Sequence, residues 1–324
     1  MMIKAGFSAM LWAGLLLMSN LCGAEGYPSK PIKIIVPLAP GTVTNLVARL
    51  AAPRLSKSLQ VPVVVENRVG ASSQIGAQAV ARAVPDGYTL LFTSPAHYIN
   101  MFLHKDMPYD PIKDFRPVMR MSDTLLVLVV PQAAPVRSVK ELIEYVRAHP
   151  GKFDYSSSGS GTSTHLPAVM FNSRAGLDIV HVPYKSGADA LSGVIGGQVL
   201  MTFTGLATAM PHIKSGTLKA LAVTGMSRSA SMPDIPTIAE AGEMPGYDFS
   251  AWGTFFAPAG LSDEILEKLE TTLLEISNEP YFKKQILAIG AELEPMSSNA
   301  FHDRLKKELP VWEKAVADGA VQTQ

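Results

Sequence analysis

The chain has 324 residues, 28 Lys and Arg against 28 Asp and Glu, one Cys, and a hydrophobic content of 47%. Zero net charge argues against the basic surface that nucleic-acid binding needs, and a single Cys excludes a disulfide framework, a Cys-x-x-Cys pair and a thiolate zinc site. With 17% charged residues, long acidic or basic tails are excluded too, and the length suits two ordinary domains or one large α/β unit.

The N-terminus opens Met1-Met2-Ile3-Lys4, runs apolar over 5–18, and reaches the small residues Cys22, Gly23 and Ala24. A charged start, a short apolar middle and small residues form the pattern of an export signal, with cleavage expected after Ala24. The apolar run is shorter than the ~20 residues a membrane-spanning helix needs. Lipid attachment at Cys22 is the alternative, but Leu21 is bulky for the position before a lipidated Cys. Removing residues 1–24 leaves 300 residues with 27 basic and 28 acidic side chains, because Lys4 is the only charge lost.

Along the remaining chain, strands are predicted over 32–37, 61–66, 88–93, 125–130, 154–157, 179–182, 199–203 and 218–223. Helices are predicted over 45–60, 75–83, 139–149, 165–175 and 188–195, with a largely helical tail over 262–320 that starts at Ser262-Asp263-Glu264. Pro53 is expected to kink or break the first helix. Pro85-Asp86-Gly87 reads as a turn, since Pro presets one dihedral and Gly accepts positive φ. The strands are continuous apolar runs, as in a parallel sheet covered on both faces. With no repeat and no low-complexity linker, the pattern is α/β and doubly wound.

Four strand-to-helix junctions carry unusual loops: 38–45 (Leu-Ala-Pro-Gly-Thr-Val-Thr-Asn), 94–97 (Ser-Pro-Ala-His), 158–165 (Ser-Gly-Ser-Gly-Thr-Ser-Thr-His) and 204–208 (Thr-Gly-Leu-Ala-Thr). Glycines let backbone N–H groups approach a ligand, hydroxyls add short donors, and a helix N-terminus favours an anion, so a carboxylate can be held there without an Arg. The plainer reading is that Thr44, Asn45, Ser163 and Thr164 cap helices. A helix end contributes only ~0.3–1 kcal/mol towards an anion, ~2 when partly buried, whereas micromolar binding needs about 8 kcal/mol. Direct hydrogen bonds in a closing cleft must supply the rest, which implies two lobes and a hinge.

Catalytic readings are weaker. The residues around Ser160 do not form a Gly-x-Ser-x-Gly elbow, and the glycines at 159 and 161 match neither a dinucleotide fingerprint nor a Walker loop. The seven His residues show no metal-binding spacing, so no metal and no cofactor are expected. His165 at a helix start reads as a base, a cap or a ligand contact. Asp110 and Asp114 flank Pro111 and read as turn and cap residues, and Met101, Met107, Met119 and Met121 as core or cleft lining.

The ordered motifs Tyr27-Pro28-Ser29-Lys30-Pro31-Ile32, Val64-Val65-Glu66-Asn67-Arg68, Pro85-Asp86-Gly87-Tyr88-Thr89-Leu90 and Pro108-Tyr109-Asp110-Pro111 with Asp114-Phe115 resemble those of the Bug family. So do Tyr155-Ser156-Ser157-Ser158-Gly159, His181-Val182-Pro183-Tyr184-Lys185, Pro211-His212-Ile213-Lys214-Ser215-Gly216, Leu221-Ala222-Val223-Thr224, Pro236-Thr237, Glu240-Ala241-Gly242 and Trp252-Gly253. These are the extracytoplasmic solute receptors of tripartite tricarboxylate transporters, and the resemblance spans nearly the whole mature chain.

The resemblance implies a periplasmic, monomeric receptor of the type II periplasmic binding protein fold, in which two doubly wound α/β lobes joined by two crossover strands close on a small carboxylate. One lobe would comprise residues 27–121 plus 225–324 and the other 122–224, with hinges at 125–130 and 218–223. The expected ligand-binding set is Gly41, Thr42, Val43, Thr44, Asn45, Ser94, Ser157, Ser158, Gly159, Thr162, His165 and Thr204, with no catalytic residue. Membrane transporter subunits are the implied partners, and a di-, tri- or aromatic carboxylate the implied ligand. The family's first loop usually reads Pro-Gly-Gly-x-x-Asp, whereas Thr42 replaces a Gly here and Asn45 replaces the acid. Asn45 cannot pair with a ligand ammonium, so carboxylates without an amino group are expected. Ser186 also stands where Gly is usual, and Lys185 reads as a contact to a second carboxylate or as a solvated structural Lys. A sensory receptor with a membrane signalling partner and an exported hydrolase are the readings from other classes.

Overall fold

The computed structural model describes residues 26–104, 106–229 and 231–318; the expected export signal, with Cys22, lies outside the described residues. The chain first builds β1 (Ile32–Val36), α1 (Val43–Leu59), β2 (Val63–Asn67), α2 (Gln74–Ala81), β3 (Thr89–Thr93), α3 (Ala96–Leu103) and β4 (Phe115–Asp123). It continues with β5 (Leu126–Pro131), α4 (Val139–Arg147), β6 (Asp154–Ser157), α5 (Leu166–Ala175), β7 (Val180–Pro183), α6 (Gly187–Ile195), β8 (Met201–Gly205), α7 (Leu206–Lys214) and β9 (Leu218–Val223). Last come α8 (Ile238–Ala241), β10 (Gly253–Pro258), α9 (Asp263–Asn278), α10 (Pro280–Ala288), β11 (Glu292–Ser297) and α11 (Ser298–Asp318).

Two sheets result, in the orders β11-β4-β10-β3-β1-β2 and β7-β6-β8-β5-β9. They share one plan. In the first, β1 lies parallel between β2 and β3, antiparallel β10 follows, and then β4. In the second, β6 lies parallel between β7 and β8, antiparallel β5 follows, and then β9. This is the two-lobed α/β architecture expected, but each sheet is mixed rather than parallel, because antiparallel β10 and β5 are inserted beside the parallel strands.

The chain passes between the sheets twice, at residues 124–125 and over 224–252, and the two passages are stitched together. Thr224 N donates to Leu126 O at 2.9 Å and Ala251 N to Thr124 O at 3.1 Å. Leu126 N donates back to Thr224 Oγ1 at 3.2 Å. The segments expected to be crossovers are therefore the neighbouring strands β5 and β9 of the second sheet, β9 at its edge, with the switch residues Thr124 and Thr224 beside them.

Helix α1 runs unbroken through Pro53, contrary to the expected kink. Proline removes one backbone donor, but Ala48, Ala51, Ala52 and Leu55 bury the helix face against β1 and α9, and Pro53 itself faces outward. Ser262 caps α9 as expected, its Oγ accepting from Ile265 N at 3.3 Å. One apolar cluster fills the α1 and α9 side of the first sheet. Another begins on the opposite face and continues through Tyr247, Phe249, Trp252 and Trp312 into the second lobe. That continuity makes the joint between the lobes part of one core.

Candidate functional site at the carboxyl ends of the two sheets

The loop after β1 is built around the N-terminus of α1. Gly41 supplies a φ of +86°, which a side chain would disfavour. Thr42 caps the helix: its Oγ1 accepts from Asn45 N at 3.3 Å and donates to Ala39 O at 2.9 Å. Asn45 is 1% exposed. Its Oδ1 accepts from Gly41 N at 3.3 Å and from Arg49 Nε at 3.2 Å, which orients the amide. Nδ2 is then a buried donor without a partner. Arg49 also donates to Asn67 Oδ1 at 2.8 Å, and Asn67 Nδ2 to Leu38 O at 2.8 Å, closing a ring of polar contacts behind the loop. A guanidinium thus backs the first loop from Arg49, four residues beyond Asn45 on α1. Val43 and Thr44 form the half-buried first turn of α1.

Ser94 follows β3, is buried, and its carbonyl accepts from His97 N at 3.0 Å where α3 begins. A fifth junction, after β2, was not singled out in the sequence. There Ala71, Ser72 and Ser73 all adopt positive φ, at 45°, 50° and 78°. Each left-handed residue costs on the order of 1–2 kcal/mol, and such strain clusters at ligand sites. Asn100 Nδ2 on α3 holds this turn by donating to Ser72 O at 2.5 Å.

The second lobe offers the loop after β6. Ser157 Oγ accepts from Gly159 N at 3.1 Å and lies 2.7 Å from His181 Nε2. Gly161 N donates to His165 Nδ1 at 3.2 Å, so the proton of that ring sits on Nε2, 3.1 Å from Tyr155 Oη. The two imidazoles stack at 4.0 Å. Burial holds His165 down to about 3, with the neighbouring His181 ring adding to the effect, and burial holds His181 down to about 4. Both rings are neutral at neutral pH, and they position the loop. His165 therefore acts through Gly161, and its own nitrogens are engaged within the lobe.

Above this base lies a cluster of hydroxyls. Thr164 Oγ1 takes the Ser158 N–H at 3.0 Å and lies 2.8 Å from Ser158 Oγ and 3.1 Å from Thr162 Oγ1. Thr162 Oγ1 donates to Gly159 O at 2.8 Å. Thr164 is thus a centre of the loop rather than a helix cap, and the N-cap of α5 is His165, without a side-chain cap bond. Thr204 is buried at the end of β8, opposite Val127 of β5. Ser186 makes a sound turn where glycine was expected: it caps α6, its Oγ accepting from Asp189 N at 3.1 Å.

The lobes meet where the loop of the second touches α3 of the first. A Cβ on Gly161 would lie 2.5 Å from Leu103 Cδ1 and 3.4 Å from Asn100 Oδ1. That Asn100 oxygen is buried and without a partner. Asn100 therefore holds the strained turn of its own lobe through Nδ2 and turns Oδ1 towards the Gly161 loop of the other. Asn100, Arg49, His181 and the turn 71–73 join the candidate set without a ligand-binding motif of their own in the sequence. The Gly-Ala-Ser-Ser run at 70–73, between a predicted strand and a predicted helix, is the one signal for the turn.

Two sheets of one plan, with polar loops and unsatisfied buried groups where their carboxyl ends meet, define a two-lobed solute-binding protein. The family described as tripartite tricarboxylate transporter family receptor matches residues 47–316. The chain belongs to that family. It is 35% identical over 270 residues to protein BugT of Bordetella pertussis, covering 83% of this chain and 82% of that one. A structure of Rpa4515 from R. palustris with adipate is similar at 34% identity and a TM-score of 0.80, over 91% of this chain and 98% of that chain. MatC from Rhodopseudomonas palustris with bound malate is similar at 28% identity and a TM-score of 0.77, over 90% of this chain and 100% of that chain.

Proposed function

We propose that this protein is an exported, periplasmic receptor that captures a small carboxylate between its lobes and delivers it to membrane transporter subunits, with no catalytic step. The observation that carries this reading is Asn45: a buried amide at the N-terminus of a 17-residue helix, oriented by two donors to its oxygen, with its N–H2 unpartnered. A buried donor left unsatisfied costs about 1–3 kcal/mol, and a carboxylate oxygen at that place removes the cost. Gly41, Thr42, Val43 and Thr44 supply the rest of the first grip, with Ser94 beside it. Ser157, Ser158, Gly159, Thr162 and Thr204 supply the second, and His165 holds that loop in shape. Because the loop is tied internally before any ligand arrives, little ordering cost remains at binding.

The ligand class is a di-, tri- or aromatic carboxylate without an amino group. Adipate and malate, held by two similar proteins, fall in that class, and the donor Nδ2 of Asn45 faces an ammonium unfavourably. A thermal-shift panel of carboxylates tests the reading, since a ligand at 100 times its Kd stabilises by ~2.7 kcal/mol. A shift with a dicarboxylate and none with the matching amino acid supports it. A panel without any shift, or hydrolysis of ester or amide substrates, sinks it. The receptor is expected to act as a monomer, which light scattering checks.

A further inference from the structure

A second set of ionisable groups lies away from the ligand loops, at the joint between the lobes. Arg120 on β4 is fully buried, and its Nε donates to Asp123 Oδ1 at 3.0 Å just before the first crossing. Asp248 lies on the return passage, where Arg304 of α11 approaches its Oδ2 at 3.4 Å. Arg304 also donates from Nε to Glu308 Oε1 at 2.5 Å, one turn further along α11. Two guanidiniums thus face three carboxylates, an excess of one negative charge in a region where none of the five side chains is more than 26% exposed. Glu308 Oε2 and Arg120 Nη1 are buried without hydrogen-bond partners.

An uncompensated buried charge is costly, and a proton on one of the three acids removes it. Burial is the leading cause that pushes both Glu308 and Asp248 upward, against the opposing pull of Arg304 and Arg120. At the edge of the same region, Glu292 stands opposite Asp123 across β11 and β4 and is raised by burial too, with Asp123 and Glu294 adding to it. Among the described residues no group of three or more His, Cys, Asp or Glu is placed to hold a metal ion, which leaves the proton as the compensating cation.

The cluster also sits where lobe motion must be felt. Helix α11 packs on β4 and α3 of the first lobe and on α5 of the second. Its start is pinned to β4 by Ser298 Oγ, which donates to Pro117 O at 2.7 Å, while Trp312, Ala315 and Val316 are buried near its end. The helix cannot stay seated on both lobes when they rotate, and Arg304 and Glu308 lie between its two anchorages.

We propose that this cluster is a proton-linked latch: it is protonated while α11 is seated on both lobes in the closed form, and releases the proton when opening parts Arg304 and Glu308 from Arg120 and Asp123 and admits water. The sign follows from linkage. The closed form binds the proton more tightly, so closure is favoured as pH falls from the raised range of these acids towards the ordinary carboxylate range. The latch rests on the receptor reading only for the two-lobe motion, and its test needs no ligand.

The test is single-molecule energy transfer between dyes on the exposed positions Ile75→Cys and Ala188→Cys, one per lobe, in a Cys22→Ser background that leaves no other thiol. The ligand-free protein is expected to shift towards the short distance between pH 8 and pH 5. Glu308→Gln, an isostere of the protonated acid, is expected to hold the short distance at both pH values, and Asp248→Asn serves if that variant folds poorly. Glu313→Gln, exposed on the same helix, is expected to keep the full response. A distance distribution independent of pH, or an undiminished response in both Glu308→Gln and Asp248→Asn, overturns the latch. A protein that binds no carboxylate yet shows the shift would sink the receptor's ligand assignment and leave the latch standing.

Discussion

Gly290 gives the sharpest test of lobe closure, because it touches the other lobe through an atom that cannot rotate away. It lies in the turn between α10 and β11 of the first lobe with φ at +80°. A Cβ there would fall 2.1 Å from Ala207 Cβ, with Ala207 Cα at 3.4 Å, at the start of α7 in the second lobe. Carbon atoms prefer about 3.5–4.0 Å, so Gly290→Ala must push the two elements apart by on the order of 1.5 Å. The left-handed backbone costs ~1–2 kcal/mol in either form of the protein. The overpacking costs ~1–3 kcal/mol, and only where the contact is closed. Since 1.4 kcal/mol is a factor of ten, the second term lowers ligand affinity about 5- to 150-fold. Calorimetry with the carboxylate that gives the largest thermal shift measures it, and Ala207→Gly in the same chain is expected to restore affinity without restoring the lost stability. The reasoning fails if Gly290→Ala binds as tightly as the parent and the whole cost appears as a lower melting temperature.

Three further outcomes are expected. The His165 and His181 rings, ordinarily near 6.5, are held at about 3 and about 4, so their contribution to stability is full above pH 6.5 and is lost as pH falls through that window. Melting temperature should therefore decline below pH 6.5, and a double His165→Gln, His181→Gln variant should flatten that decline; an unchanged acid slope would count against the buried pair. Thr42→Ala removes the cap of α1 and should cost about 1 kcal/mol by denaturant titration, while Thr42→Ser should cost little. Asn45→Asp should turn preference towards carboxylates bearing an ammonium group, read as the ratio of two affinities by calorimetry, and an unchanged ratio would remove Asn45 from the grip.

The parallel core was readable because most of its strands are short, largely apolar runs between turn signals: β1, β2, β3 and β8 lie within a residue or two of their predicted places, and the polar β6 (Asp-Tyr-Ser-Ser) is marked by the Ser/Gly loop that follows it. Strands β4 and β11 were hidden by charge. Arg116 and Arg120 interrupt the pattern of β4, yet one reaches Leu261 O and Asp263, and the other is buried against Asp123. Those partners are far apart in sequence or created by the fold, and local propensity carries no trace of them. The Gly, Ser and Thr loops after β1 and β6 were legible for the opposite reason, since unusual backbone demands unusual residues. The left-handed turn at 71–73 escaped because Ala and Ser do not advertise positive φ. His181 escaped because it meets Ser157 only once β6 and β7 pair. Pro53 misled because its cost is local and the burial that outweighs it is not.

A crystal structure of the protein with the carboxylate that most raises its melting temperature tests the central claim most directly. The account predicts one carboxylate within hydrogen-bond distance of Asn45 Nδ2 and Thr42, closed over by Ser158, Thr162 and Thr164 of the other lobe. A ligand seated away from both loops, or a carboxylate bound with Asn45 Nδ2 still unpartnered, would contradict it.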